Sequence, residues 1–453
     1  MTAQRARRTI RPSAPLVGAL IGIVLAAGLA TVGVRATSDD SSTASPAAPG
    51  QAPPGSGAKN EAPLATTREL RPEPAWITDI KAAVADLRGL QWKRSQPVEI
   101  VSQDELVHRA RAANARDIRP ERLAGDGDTL RILHVIPRDL DYAEALDDIL
   151  DLVLGFYDPE TKELVVRDSG GDVDVQTRVT VAHELDHALT DQWFDFGGRI
   201  DALYDADNTE ELDALVALIE GDAKLLEARY IDDHLGEEEQ VEYLLGGLVG
   251  SGGDLSAVMR LPRFVLEELY FPYTTGFEFA ERQAARRGFS GVDDAFRKPP
   301  VSTEQIIHPD RYEAGQGWEP PPLPDVAAAA SCTDVRRGTL GESTLATVLD
   351  EHLGSSEASA AVSGWNGDSF RTVRCESALA MASRIESDTE ADAVRLTRAL
   401  TRWAPGWAGS RGSGEDRFSG AKGAGRITRA GTRVDVVLAD NGATADRVAT
   451  ALA

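Results

Sequence analysis

Between Ile77 and Leu87 apolar residues recur at spacings of three and four, which predicts a helix, and Pro97 to Val101 then reads as an extended segment. Helical spacing returns over Glu105 to Ala113 and in the amphipathic stretch from Tyr142 to Leu154. Next come two short apolar runs, Gly155-Phe156-Tyr157 and Leu164-Val165-Val166, flanking the turn signal Asp158-Pro159; they predict a hairpin. From Asp174, a plausible N-cap, the period changes again: Val175, Val179, Ala182 and Leu185 fall on one side of a helix. A second helix is predicted over Glu210 to Tyr230, where Leu212, Val216, Ile219, Ala223, Leu226 and Tyr230 form one buried stripe that packs on the first.

The run Pro320-Pro321-Pro322-Leu323-Pro324 breaks this pattern, and beyond it the chain turns rich in Ala, Ser, Gly and Thr. Helices are predicted over Leu340 to His352, Glu390 to Trp403 and Ala443 to Leu452, and strands over Ser369 to Cys375 and Thr432 to Leu438. The expected fold class is α+β. A mainly helical, zincin-like metallopeptidase domain with a small sheet spans residues 74–324, and a small α/β accessory domain spans 325–453. A chain of 453 residues has room for two such cores.

The N-terminal pattern is of another kind. Arg5, Arg7, Arg8 and Arg11 precede a charge-free apolar run from Leu16 to Val34, close to the roughly 20 residues a membrane-spanning helix needs. Residues 1–35 therefore read as a single-pass anchor with the arginines inside and the later domains outside the cell. The alternative is a signal cleaved near Gly28 and Ala30, giving a secreted protein. Residues 36–73, rich in Pro, Ser and Gly, are expected to be a disordered linker. In an oxidising exterior the two cysteines, Cys332 and Cys375, are expected to be bridged. A net charge of -25 repels nucleic acid, so no nucleic-acid partner is expected.

The chemistry is concentrated in His183-Glu184-Leu185-Asp186-His187. Histidines at i and i+4 share one helix face, so both imidazoles can reach one metal ion, and zinc suits that donor set. Glu184 stands beside the first ligand as general base for a zinc-activated water. Thr190 and Trp193 occupy the positions where the extended metzincin pattern needs Gly and His, so the third ligand must lie elsewhere. Glu220, at the edge of the second helix's stripe, is the first choice, and Gly221 beside it permits close helix approach. Glu227, Glu211 and Asp213 are alternatives on the same helix. Asp191 and Asp222 are candidates to hold the histidines' other N–H groups, and Asp186 is expected to be solvated.

The segment Leu218-Ile219-Glu220-Gly221-Asp222-Ala223 resembles the E-G-x-A segment of aminopeptidase-N-like gluzincins, whose glutamate is the zinc ligand. More widely, Gly155 to Asp368 is similar to a largely uncharacterised group of bacterial secreted or membrane-anchored metallopeptidases. The blocks that carry the likeness are GFYDPETKELVV, HELDHALTDQ, LIEGDA, FPYTTGFEFAERQA, PPVSTEQIIHP, LGESTLATVLDEHL and GWNGD. The resemblance implies a gluzincin-like zinc peptidase. Such an enzyme needs a donor for the oxyanion, and His308 and Tyr273 are the candidates. For His308 there is also a plainer reading, in which Ser302-Thr303-Glu304 caps a short helix that His308 ends. The expected activity is hydrolysis of a peptide or protein substrate. The rival readings are a catalytically silent surface protein on the same fold and a zinc hydrolase of a non-peptide amide or ester.

Overall fold

The computed structural model describes residues 73–117, 119–170, 173–249, 256–410 and 416–453. The expected anchor over residues 1–35, and the linker as far as residue 72, lie outside the described residues. Among the described residues no helix is long and apolar enough to cross a membrane.

Helix α1 (Ala75–Arg88) buries Ile77, Ile80, Val84 and Arg88, and Gly89 ends it in the left-handed region at φ 65°. Then follow β1 (Val98–Val101), α2 (Gln103–Asp117), α3 (Pro120–Leu133) and α4 (Tyr142–Asp147), which continues as a 3-10 turn over Asp148–Leu152. The hairpin is present as β2 (Gly155–Tyr157) and β3 (Leu164–Arg167). Strand β3 is central: it pairs antiparallel with β2, Tyr157 opposite Leu164, and parallel with β1, Val98 opposite Leu164.

The chain then becomes helical. Helix α5 (Val175–Phe194) starts at Asp174, whose side chain accepts from the Thr177 amide at 2.6 Å as a cap should. After it come α6 (Phe196–Asp205), α7 (Thr209–His234), α8 (Glu237–Val249), α9 (Ser256–Arg260), α10 (Arg263–Arg287), α11 (Phe289–Arg297), α12 (Thr303–Ile307) and α13 (Pro309–Ala314). The backbones of α7 and α10 touch. A Cβ on Gly221 would run into the Gly276 carbonyl, and one on Gly276 into the Ala217 carbonyl, so only glycine at both positions allows this crossing.

The C-terminal part contains α14 (Val326–Ala329), β4 (Thr333–Gly338), α15 (Gly341–Leu353), α16 (Ser355–Val362), β5 (Trp365–Cys375), β6 (Ala378–Ser387), α17 (Glu390–Ala408), β7 (Arg417–Ser419), β8 (Ala424–Ala430), β9 (Arg433–Ala439) and α18 (Gly442–Leu452). Its strands form one sheet in the order β4-β5-β6-β9-β8-β7 with every pair antiparallel, so this unit is α+β, not the expected α/β. Both faces are covered. Leu379 and Met381 of β6 point into a core with Leu345 and Trp403, while Ala380 and Ala382, one residue out of phase, pack with Val448 and Leu452 of α18. Cys332 and Cys375 are bridged as expected, with Cα atoms 4.4 Å apart.

The expected boundary at residue 324 separates the two sheets but not the two cores. Ile132, Leu133 and Ile149, and Phe264 and Val265 of α10, pack into the same cluster as Leu345, Trp403 and Phe370. The unit carrying the HExxH motif and the C-terminal unit thus share apolar packing.

Candidate metal centre

Helix α5 is buried on nearly all sides although its sequence is not apolar: His183, Glu184, Asp186, His187, Thr190 and Asp191 are all between 0 and 3% exposed. Buried polar groups must be paired or hold a ligand.

On one side α5 faces α7. Glu220 Oε2 lies 3.3 Å from His183 Nε2 and 3.5 Å from His187 Nε2, and the imidazoles stand edge to face with centroids 4.7 Å apart. Among the described residues, His183, His187 and Glu220 form a group whose donor atoms all lie within 4.8 Å of one another. Neither ring nitrogen of His187 has a hydrogen-bond partner there. Two imidazoles and a carboxylate converging while buried, with orphaned nitrogen, fit a divalent cation. Without one, burial disfavours the His183 imidazolium, but Glu220 and Glu227 outweigh this and hold its pKa up at about 10. Against burial, His187 and His183 drive Glu220 down to about 2. A cation binding there would displace the His183 proton and take its place between His183 and Glu220.

The other motif residue is held by the hairpin. The Tyr157 amide donates to Glu184 Oε2 at 2.8 Å, and Glu184 Oε1 has no partner among the described residues. Burial pushes the Glu184 carboxyl well above its usual range, opposed by His183 and by the Tyr157 amide. The α7–α10 crossing brings Tyr273, one turn before Gly276, over the same group. Its ring stacks on His183 at 6.5 Å, and its hydroxyl hydrogen-bonds Glu220.

His308 is elsewhere. Its Nε2 lies 2.9 Å from Glu342 Oε1, and Ser302 Oγ accepts from the Gln305 amide at 3.2 Å, so the capping reading of that block is the one realised. In the same short helix Thr303 binds Glu210, which lies about 15 Å along the α7 axis from Glu220 at 1.5 Å per residue. The alternatives to Glu220 are also occupied otherwise: Glu211 pairs with Asn208, Asp213 faces Glu268, and Glu227 holds His183 Nδ1 from Oε2 at 3.2 Å.

Glu227 therefore takes the orienting role expected of Asp191 or Asp222. Asp191 instead accepts from the Tyr157 hydroxyl at 2.7 Å, from Lys162 and from the Gly197 amide at 3.1 Å. Asp222 accepts from Thr190 Oγ1 at 3.3 Å and lies 3.2 Å from Arg88 Nη2. Asp186 is not solvated: at 1% exposure it accepts from Arg88 Nε at 3.0 Å. Arg88 and the Tyr157 amide were missed in the sequence, and Glu227 was expected as an alternative ligand, not as the partner of His183 Nδ1; two of the three leave a signal. Arg88 continues the stripe Ile77, Ile80, Val84 of α1, and Glu227 lies two turns after Glu220 on one face of α7.

Residues 329–449 match a family model described as a domain of unknown function (DUF8575), which covers most of the C-terminal unit. No curated protein and no solved structure matches the chain.

Proposed function

We propose that this protein is a zinc-dependent peptidase of gluzincin type on a zincin-like fold, held at the outer face of a bacterial membrane by its N-terminal segment. One observation carries the reading: His183, His187 and Glu220 converge on one point, with Glu184 adjacent and fixed by only one of its oxygens. Zinc bound there would supply a Lewis acid that acidifies water and polarises a carbonyl.

The chain's own groups divide the remaining work. The Tyr157 amide anchors Glu184 Oε2 and leaves Oε1 to take a proton from the attacking water. Glu184 then passes that proton to the leaving amine. Tyr273 is the donor for the developing oxyanion, since its hydroxyl already points at the ligand group; His308 drops out. The substrate class is a peptide or protein, and nucleic acid is disfavoured by the charge of -25.

The test is Glu184→Gln assayed on a peptide library beside ester and amide substrates. Bound zinc is expected to stay, and peptide cleavage to fall at least about a hundredfold. Unchanged cleavage would sink the mechanism. A second reading, a metal centre without turnover, draws on the 0% exposure of Glu184. It predicts a zinc-loaded wild type inert on all three substrate classes.

A further inference from the structure

Outside α5, α7 and α10, a further helix reaches the metal centre through one side chain. Tyr243 of α8 donates its hydroxyl to Glu227 Oε1 at 2.7 Å, and Lys224, one turn earlier on α7, donates to the same oxygen. The second oxygen of that carboxylate, Oε2, lies 3.2 Å from His183 Nδ1. With Oε1 fixed by donors from two helices, the carboxylate plane is set. It accepts the Nδ1 proton of a ligating His183 and leaves the Nε2 lone pair directed at the point shared with His187 and Glu220.

The packing of α8 makes this contact notable. Val241, Leu244 and Leu245 are 55, 40 and 53% exposed, so these three apolar side chains face outward. The helix's inner side is attached by polar contacts: Gln176 Nε2 donates to the Tyr243 carbonyl at 2.7 Å, and Arg178 pairs with Glu239. The Tyr243 ring itself packs against the main apolar core, and its hydroxyl, at the end of that ring, meets its partner in Glu227.

We propose that Tyr243 is a positioning residue of the metal centre, acting through Glu227 to hold His183 in its ligating orientation and so retain the ion. The proposal rests on His183, His187 and Glu220 being a metal site. Losing such an outer contact typically weakens metal binding by about 10- to 100-fold, and because Lys224 remains on Glu227 the lower figure applies here.

The experiment follows transfer of Zn2+ from the zinc-loaded protein to a chromophoric chelator, for wild type, Tyr243→Phe, Glu227→Gln and the double variant. Tyr243→Phe is expected to weaken zinc affinity about tenfold while melting of the zinc-free protein moves little. In the Glu227→Gln background the same change is expected to add nothing, because its route to His183 is gone. Wild-type affinity in Tyr243→Phe overturns the proposal, as does an equal effect in both backgrounds. If Glu227→Gln does not fold, the single comparison of Tyr243→Phe with wild type still decides. A wild type that takes up no zinc fails differently, by removing the metal site itself.

Discussion

Arg88 Nε donates to Asp186 Oδ1 at 3.0 Å, with both side chains at most 1% exposed. The same guanidinium reaches Asp222 at 3.2 Å and Asp293 at 3.0 Å, and so ties α1 to α5, α7 and α11. Asp186 immediately precedes His187, and Asp222 lies two residues after Glu220. One buried cation thus links the two helices that carry the candidate metal donors His183, His187 and Glu220.

Removing that cation leaves buried carboxylates without a counter-charge. Arg88→Met is expected to destabilise the protein by about 3–5 kcal/mol, read by urea unfolding. Adding Asp222→Asn should recover part of the loss, because it removes one of the buried carboxyls that lose Arg88 as their partner. A loss below about 1 kcal/mol, the range of an exposed pair, would contradict the arrangement.

The glycine crossing of α7 and α10 makes a separate demand. In Gly276→Ala the new methyl meets the Ala217 carbonyl, which is backbone and can yield only if the helices part. The expected cost is about 1–3 kcal/mol, with weaker zinc binding because Tyr273 and Glu220 move apart. Wild-type melting together with wild-type zinc affinity would show that the crossing does not position the site.

How far the sequence revealed all this depends on the kind of pattern. Periodicity located α5, α7 and the β2–β3 hairpin because each has a clear stripe or turn. Strand β6 escaped because Ala378 to Ser387 is buried on both faces by small residues and shows no alternation. The motif spacing gave His183, Glu184 and His187, and the stripe together with the likeness of LIEGDA to a gluzincin segment favoured Glu220. Spacing shows Arg88 only as the next member of the α1 stripe; that it meets Asp186, Asp222 and Asp293 comes from tertiary packing alone. Asp186 was misjudged by its residue type: it follows Val175, Val179 and Ala182 at helical spacing, and that position on the stripe outweighs its charge.

Carboxyls gathered where the C-terminal unit meets α7 and α10 give an unusual pH dependence. Burial, then the Glu268 carboxylate, raises Asp213 to about 8; burial raises Glu268 to about 7 and Asp368 to about 6. The unfolded chain releases these protons near pH 4, so between about pH 4 and 8 the folded state holds protons the unfolded state has lost. Their contribution is full below about pH 4 and disappears as pH rises through 6 to 8. Glu220 and Glu227, both held at about 2, act oppositely and lose theirs below about pH 4. The urea midpoint of the metal-free protein is therefore expected to be lower at about pH 8.5 than at about pH 5.5. A higher midpoint at the alkaline value would be inconsistent with the raised pKa values of these three acids.

The Cys332–Cys375 bridge closes a loop of sequence separation 43 and ties the start of β4 to the end of β5. Chain entropy alone makes it worth about 4 kcal/mol. The pair Cys332→Ser and Cys375→Ser should lose stability of that order, concentrated in the C-terminal sheet and visible as faster amide exchange in β4. Unchanged exchange there would argue against the bridge as a stabilising element.

The central claim is that His183, His187 and Glu220 together hold one metal ion. Metal analysis of the purified protein after zinc loading and gel filtration, wild type beside His183→Ala, tests it most directly. The account predicts one zinc per wild-type chain and loss of that zinc in a His183→Ala variant that remains folded. A folded wild type without zinc, or a His183→Ala variant that keeps it, would contradict the account.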